Sequence, residues 1–194
     1  MTQFDNQIKI VSVGQVQTEI LDFLTFVMTD SFGAPCEVLE ARIAIRDAYS
    51  SKRRQYDSNL ILQELLKLEF GTDCKVLGVT EVDLFVPIFT FVFGLAQVGG
   101  KAALISTCRL RQEFYGLPRD DNLFFLRCEK EAAHELGHAH GLLHCPSYQC
   151  VMHFSNSIEQ VDMKSATLCT TCYPNLYRGR PLVGADSSSM TRPV

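Results

Sequence analysis

The sequence predicts a mixed α and β fold of the α+β class, and three observations predict it. Short β-branched apolar runs alternate with helix-period segments through the first half of the chain. A longer helical pattern then runs from about Asp121 to His140, and an irregular segment bearing four cysteines follows it. With 194 residues, 46% of them hydrophobic, the chain can bury a substantial core. Its simplest organisation is one domain over residues 1–177, which a cleft could split into two lobes.

The elements follow in order. IKIVSVG is apolar and β-branched and stops at Gly14, as a buried strand does. In TEILDFLTFVMTDSFG, Ile20, Leu24, Val27 and Met28 fall on one helical face, and Gly33 supplies a stop. CEVLEARIAI then returns as a strand and completes a β-α-β opening. After the polar DAYSSKRRQYD, Ser58 caps a helix carrying Ile61, Leu65 and Leu68, ended by Gly71. KVLGVTEVD and IFTFVFGLA are the next strands, and GLAQVGGKAALIST reads as a hairpin with Gly99 and Gly100 at positive φ. Aspartates open the long helix, where they favour its N-terminus. Residues 178–194 contain Pro, Gly and Ser and are expected to be a mobile tail.

Composition excludes several functions. A formal net charge of −4 does not suit a phosphate backbone, so no nucleic acid is expected as a partner. LFVPIFTFVFGLA is too short to span a bilayer and contains Pro87 and Gly94, so no membrane association is expected. No secretory leader is visible, and a cytoplasmic protein is the expectation, with a monomer as the default. Reduced thiols are then the rule. Cys36, Cys74, Cys108 and Cys128 read as small buried hydrophobes, whereas the four later cysteines are clustered.

The chemistry concentrates in HELGHAHGLLHC, residues 134–145. Residues four apart on a helix share a face, so His134 and His138 present two imidazoles to one point. Glu135 lies roughly 100° further round, which suits a base acting on a metal-bound water. His140 points to the opposite side and reads as a non-ligand. On a continuous helix His144 would lie roughly 15 Å along the axis from His134, outside any ligand shell. Gly141 can end the helix in the left-handed conformation and turn the chain so that His144 becomes the third nitrogen. Three imidazoles with a fourth position open for water suit a catalytic zinc. A spacing this long arises by chance in roughly one chain in 10⁵ of this length. Cys145-x4-Cys150 and Cys169-x2-Cys172 have the spacing of a second, closed and hence structural zinc site, the alternative being four reduced thiols.

The combined pattern, His134-Glu135-x2-His138-x2-Gly141-x2-His144-Cys145-x4-Cys150-x-Met152 with the later Cys169-x2-Cys172, resembles the archaemetzincins, a family of metzincin zinc metallopeptidases. The resemblance implies a metzincin-like zincin, with a mixed sheet and backing helix in the upper lobe (about 1–141), an active-site helix, and a small irregular lower lobe (about 142–177) bearing the cysteines. It implies two zinc ions per chain, one catalytic on His134, His138 and His144, and one structural on Cys145, Cys150, Cys169 and Cys172. Glu135 would be the general base and acid in hydrolysis of a peptide or protein substrate, and Met152 an apolar floor beneath the histidines. IFTFVFGLA would be the edge strand that pairs with an extended substrate. Phe154 stands where some metzincins carry a tyrosine, which leaves Tyr148, His153, Tyr173 and Tyr177 as candidates to support the oxyanion. Glu129, Glu131 and Asp162 are candidates to bind a substrate α-amine, which would distinguish an aminopeptidase from an endopeptidase. The competing function is a non-catalytic zinc-binding scaffold or peptide-binding module, and Glu135 weighs against it because a purely structural triad needs no carboxylate.

Overall fold

The computed structural model of the chain describes residues 7–41, 43–70 and 74–176. β1 (Gln7–Ser12), α1 (Thr18–Phe32) and β2 (Cys36–Leu39) form the β-α-β opening, with β2 parallel to β1. Gly33 ends α1 at φ 59°, a conformation glycine enters without a Cβ clash. Two very short strands, β3 (Tyr49–Ser50) and β4 (Gln55–Asp57), lead into α2 (Ser58–Leu66). β5 (Cys74–Thr80) follows, and then β6 (Leu84–Phe85), which joins β3 and β4 in a small second sheet. β7 (Gly94–Ala96) and β8 (Ala102–Ser106) make an antiparallel hairpin ahead of the long helix α3 (Asp121–Ala139). Beyond α3 lie the short helices α4 (Ile158–Met163) and α5 (Tyr173–Leu176).

The main sheet runs β2-β1-β5-β8-β7, parallel throughout except for the edge strand β7. Strands covered on both faces read as continuous apolar runs, which is why β1, β5 and β8 stand out in the sequence. Ile8, Ile10, Leu77, Val79, Ala103 and Ile105 pack in one core with α1 and α3. Val11, Val76, Ala102 and Leu104 pack in the other, against Ile61, Leu62 and Leu65 of α2. Those three α2 side chains are buried and together contribute roughly 5–8 kcal/mol of hydrophobic stabilisation. Gly78 of β5 permits this approach, because a Cβ there would stand 2.5 Å from Leu65 Cδ1. Three layers result: α1 with α3, the sheet, and α2.

Several sequence expectations are corrected. Asp57, not Ser58, caps α2: its carboxylate accepts the Asn59 N–H at 2.9 Å, while the buried Ser58 hydroxyl donates to the Phe85 carbonyl. That helix ends at Leu66, and Gly71 lies outside the described residues. The strand expected over residues 36–45 is confined to β2, and that over 88–96 to β7. Arg53 explains part of the second difference, since its guanidinium bonds the carbonyls of Pro87 and Phe89 and holds that stretch as a loop. In the hairpin only Gly99 takes positive φ, at 64°. The expected mobile tail, 178–194, and Tyr177 also lie outside the described residues. Among the described residues no helix is long and apolar enough to cross a membrane.

Candidate active site

α3 begins where Asp120 accepts the Leu123 N–H at 3.0 Å, and it runs beneath the hairpin edge of the sheet. Its second half buries polar groups: His134, Glu135 and His138 are 4%, 2% and 1% exposed. Burial that deep demands a partner or a ligand for each group. At the C-terminus, Gly141 takes φ 93°, its N–H bonds the His138 carbonyl, and the Leu142 N–H bonds the Gly137 carbonyl. These paired bonds form a Schellman turn, which satisfies carbonyls the helix would otherwise leave open. The turn reverses the chain and returns His144 to its neighbours, so that the ring centroids of His134 and His138 lie 5.4 and 5.0 Å from that of His144.

The backbone also sets the histidine tautomers. His134 Nδ1 lies 2.7 Å from the Val151 carbonyl and His138 Nδ1 2.7 Å from the Leu142 carbonyl. A carbonyl only accepts, so each Nδ1 carries the proton and each Nε2 keeps its lone pair. The two Nε2 atoms are 3.1 Å apart, and ligand atoms of all three histidines lie within 4.8 Å of one another. Burial first, and the nearby Lys164 or His144 second, lowers their basicity: His134 falls well below its usual range, His138 to about 3. His144, the most exposed of the three, is lowered to about 4 by loss of hydration and by Lys164. Three neutral imidazoles with converging lone pairs fit a zinc ion. Met152 is fully buried, so close to Gly137 of the active-site helix that a Cβ there would be 2.4 Å from its sulfur.

Glu135 lies under β7, where a Cβ on Gly94 would stand 2.5 Å from its Oε1. Its Oε2 is buried with no hydrogen-bond partner. Burial, aided by Glu131 and opposed by Lys164, raises its pKa well above the usual carboxylate range. Beside it is a cavity of about 70 Å³, walled by Phe89, Phe91, Phe93 and Phe154 and reaching Glu131 and Lys164. Lys164 Nζ is 2.9 Å from Glu131 Oε1, yet neither atom makes an aligned hydrogen bond. The charges touch while their hydrogen-bonding capacity stays unused.

The second cluster forms next to the first. Cys145, Cys150, Cys169 and Cys172 bring four sulfurs within 4.8 Å of one another, and Cys145 directly follows His144. The Cys145 N–H bonds the Met152 carbonyl at 2.9 Å, and the Cys169 N–H points at Cys150 Sγ at 3.4 Å. Hydrogen bonding from the Cys172 backbone, first among several causes, holds the Cys169 thiol down at about 6. A set of four close sulfurs, one already inclined to the thiolate, fits a tetrahedral zinc.

The model of peptidase family M54 matches residues 8–178 of this sequence. The chain belongs to that family. An archaemetzincin of Methanocaldococcus jannaschii is 47% identical over 170 residues, covering 88% of this chain and 92% of that protein. The crystal structure of an archaemetzincin from Methanopyrus kandleri superposes with a TM-score of 0.79 at 34% identity, over 90% of this chain and 96% of the other. A zinc-dependent peptidase from Methanocorpusculum labreanum gives a TM-score of 0.77 at 27% identity, over 87% and 99%. Family M54 membership makes this protein a zinc metallopeptidase, a hydrolase of peptide bonds.

In this M54 peptidase the structure brings the three sequence-chosen histidines together, and the four cysteines likewise. His140 points elsewhere, its ring stacked on Phe32 at 5.2 Å. Of the residues considered for oxyanion support, Tyr148 is exposed against His153, His153 bonds the Cys145 carbonyl and Tyr173 is exposed; none lines the cavity beside Glu135. Phe154 packs edge-on against His144 at 5.1 Å. Lys164 and Ser155 went unnoticed in the sequence. Lys164 sits in the polar-looking run VDMKSA, and nothing local marks it as buried. Glu131 had a legible signal, because it lies four residues before Glu135 on the same helix face.

Proposed function

We propose that this peptidase cleaves peptide bonds with Glu135 as general base and acid, and that a second, structural zinc supports the site. The observation that carries this reading is the unpartnered, buried carboxylate oxygen of Glu135 beside three converging imidazoles. His134, His138 and His144 would hold the catalytic ion, which when bound supplies a Lewis acid able to acidify water and polarise a carbonyl. Glu135, with its raised pKa, takes the proton of the attacking water and returns it to the leaving nitrogen. Gly141 turns His144 into the shell, and Met152 floors it. Cys145, Cys150, Cys169 and Cys172 would hold the second ion, which leaves no position for water and so has a structural role. β7, the antiparallel edge of the sheet, offers unpaired backbone groups along which an extended substrate adds as a strand.

Residues 1–177 would form one catalytic domain, with lobes divided near residue 141, in a cytoplasmic protein. Cleavage within chains, rather than from an amino terminus, is favoured by the pairing of the available carboxylates. Asp162 is held bidentately by Arg127 at 2.7 and 2.6 Å, the charge of Glu131 is balanced by Lys164, which would repel a cationic α-amine, and Glu129 does not line the cavity.

The test is mass-spectrometric profiling of a diverse peptide library, with free and acetylated N-termini, using zinc-loaded wild type and Glu135→Ala. Cleavage of acetylated peptides by wild type alone supports the reading, and metal analysis should give two zinc ions per chain. Intact peptides throughout would move the non-catalytic scaffold to the front, and equal cleavage by both proteins would remove Glu135 from the mechanism.

A further inference from the structure

Buried polar side-chain atoms in folded proteins nearly always have a hydrogen-bond partner, and each exception requires an explanation. Among the described residues four such atoms lack one: Glu131 Oε1, Glu135 Oε2, Ser155 Oγ and Lys164 Nζ. All four belong to residues lining the single cavity beside Glu135. The reaction accounts for Glu135. It does not account for an acceptor, a donor and a hydroxyl gathered on the same cavity wall.

The site is built rather than incidental. Arg127 grips Asp162 bidentately, and Lys130 Nζ donates to the carbonyls of Val161 and Asp162 at 3.1 and 3.0 Å. These contacts fasten the end of α4 to α3 and deliver Lys164, 2% exposed, into the cavity. There it stands 2.9 Å from Glu131. The remaining wall is aromatic. At about 10–15 Å³ per water, a cavity of about 70 Å³ has room for several waters or for one side chain of comparable bulk.

We propose that this cavity is the subsite for a carboxamide side chain of the substrate, glutamine ahead of asparagine, with Lys164 and Glu131 as the specificity-determining pair. The inference rests on the peptidase reading of the adjoining site. A carboxamide is neutral and carries an acceptor and a donor on one plane: its oxygen accepts from Lys164 Nζ, and its NH2 donates to Glu131 Oε1. Ser155 Oγ can serve either end. Glutamine's two methylenes lie against Phe89, Phe91 and Phe154. A carboxylate would bring a second anion to Glu131, and a lysine or arginine a second cation to Lys164, each breaking the neutrality of the pair. A leucine would leave Lys164 and Glu131 with only their own misaligned ion pair and no hydrogen bond from the substrate.

The test is the affinity of zinc-loaded protein for peptidyl hydroxamates identical except for one side chain (Gln, Asn, Leu, Glu or Lys), measured by calorimetry. Glutamine should bind tightest, by about tenfold or more over Leu, Glu and Lys, since a site built to hydrogen-bond a group discriminates against analogues lacking it. Lys164→Met and Glu131→Gln should each shrink the Gln preference to within about threefold, on the same reasoning. The wild-type ranking decides the matter even if a variant fails to fold. Leu, Glu or Lys binding as tightly as Gln, or no binding by any member, overturns the proposal. The expected ranking in a protein that cleaves nothing would retain the subsite and remove the peptidase reading. Cleavage without the ranking would do the reverse.

Discussion

Replacing Gly94 by alanine tests whether Glu135 is held in a working position by the strand above it. Gly94 has no positive φ, so its backbone accepts alanine, and the loss of glycine's unfolded-state freedom favours folding by under about 1 kcal/mol. The new Cβ, however, would stand 2.5, 2.6 and 2.7 Å from Oε1, Cγ and Cδ of Glu135. Ordinary contact begins near 3.4 Å, so the carboxylate must retreat by about 0.9 Å. A misplacement of about 1 Å in a reacting group costs about 10²-fold in rate, or about 2.7 kcal/mol of barrier. We expect kcat on a cleaved peptide to fall about 100-fold with KM little changed and zinc content that of wild type, while the close contact with the buried Glu135 lowers Tm by about 2–4 °C. The comparison needs steady-state kinetics, thermal denaturation and metal analysis on one preparation. Activity within about threefold of wild type, with zinc content unchanged, would refute the idea that close packing under β7 sets the position of Glu135.

Gly137→Ala sets two effects against each other. Helix propensity favours alanine by about 1 kcal/mol, but its Cβ would lie 2.4 Å from the sulfur of the fully buried Met152, an overpacking cost of about 1–3 kcal/mol. The clash should win, lowering Tm by about 2–4 °C; a rise in Tm would mean that Met152 yields freely. On the proposed two-zinc reading, Cys150→Ser should reduce bound zinc from two ions to one at best and weaken retention of the remaining one, measured by metal analysis after dialysis against a mild chelator. Retention of two ions would argue against the four-sulfur site. Arg127→Met leaves Asp162 without its bidentate partner; since Asp162 is about a third exposed, we expect a loss of about 2 kcal/mol rather than the 3–5 of a fully buried pair, read from denaturant unfolding.

Much of the fold was legible because two-sided burial leaves continuous apolar runs. β1, β5 and β8 therefore show in the sequence, as does the apolar stripe of α1. The strands β3, β4 and β6 were not legible, because pairs and triplets of residues carry no period and depend on distant partners such as Tyr56 against Leu84. IFTFVFGLA misled for a related reason: its aromatic residues line a cavity and cover Arg109, whose guanidinium lies 4.2 Å from the Phe91 ring, instead of extending the sheet. The histidine cluster was legible because helix geometry fixes the spacing of residues four apart and Gly141 marks the turn. Lys164 was hidden, since its burial comes from contacts that Arg127 and Lys130 make with residues more than thirty positions away.

The direct succession of His144 and Cys145 has a consequence for the life of the chain before it is finished. Synthesis proceeds from the N-terminus, and structured segments can form as they emerge. The strands and α3 all lie before His140 in the chain, so His134 and His138 can already stand side by side while the rest is still to come. His144 is tethered to a sulfur cluster whose last two members, Cys169 and Cys172, arrive a further twenty-five residues or more downstream. On this reading the hydrolytic centre is the last feature to assemble. On the proposed function, a growing chain and the machinery that makes it would thereby be spared a protease active before its own folding is complete.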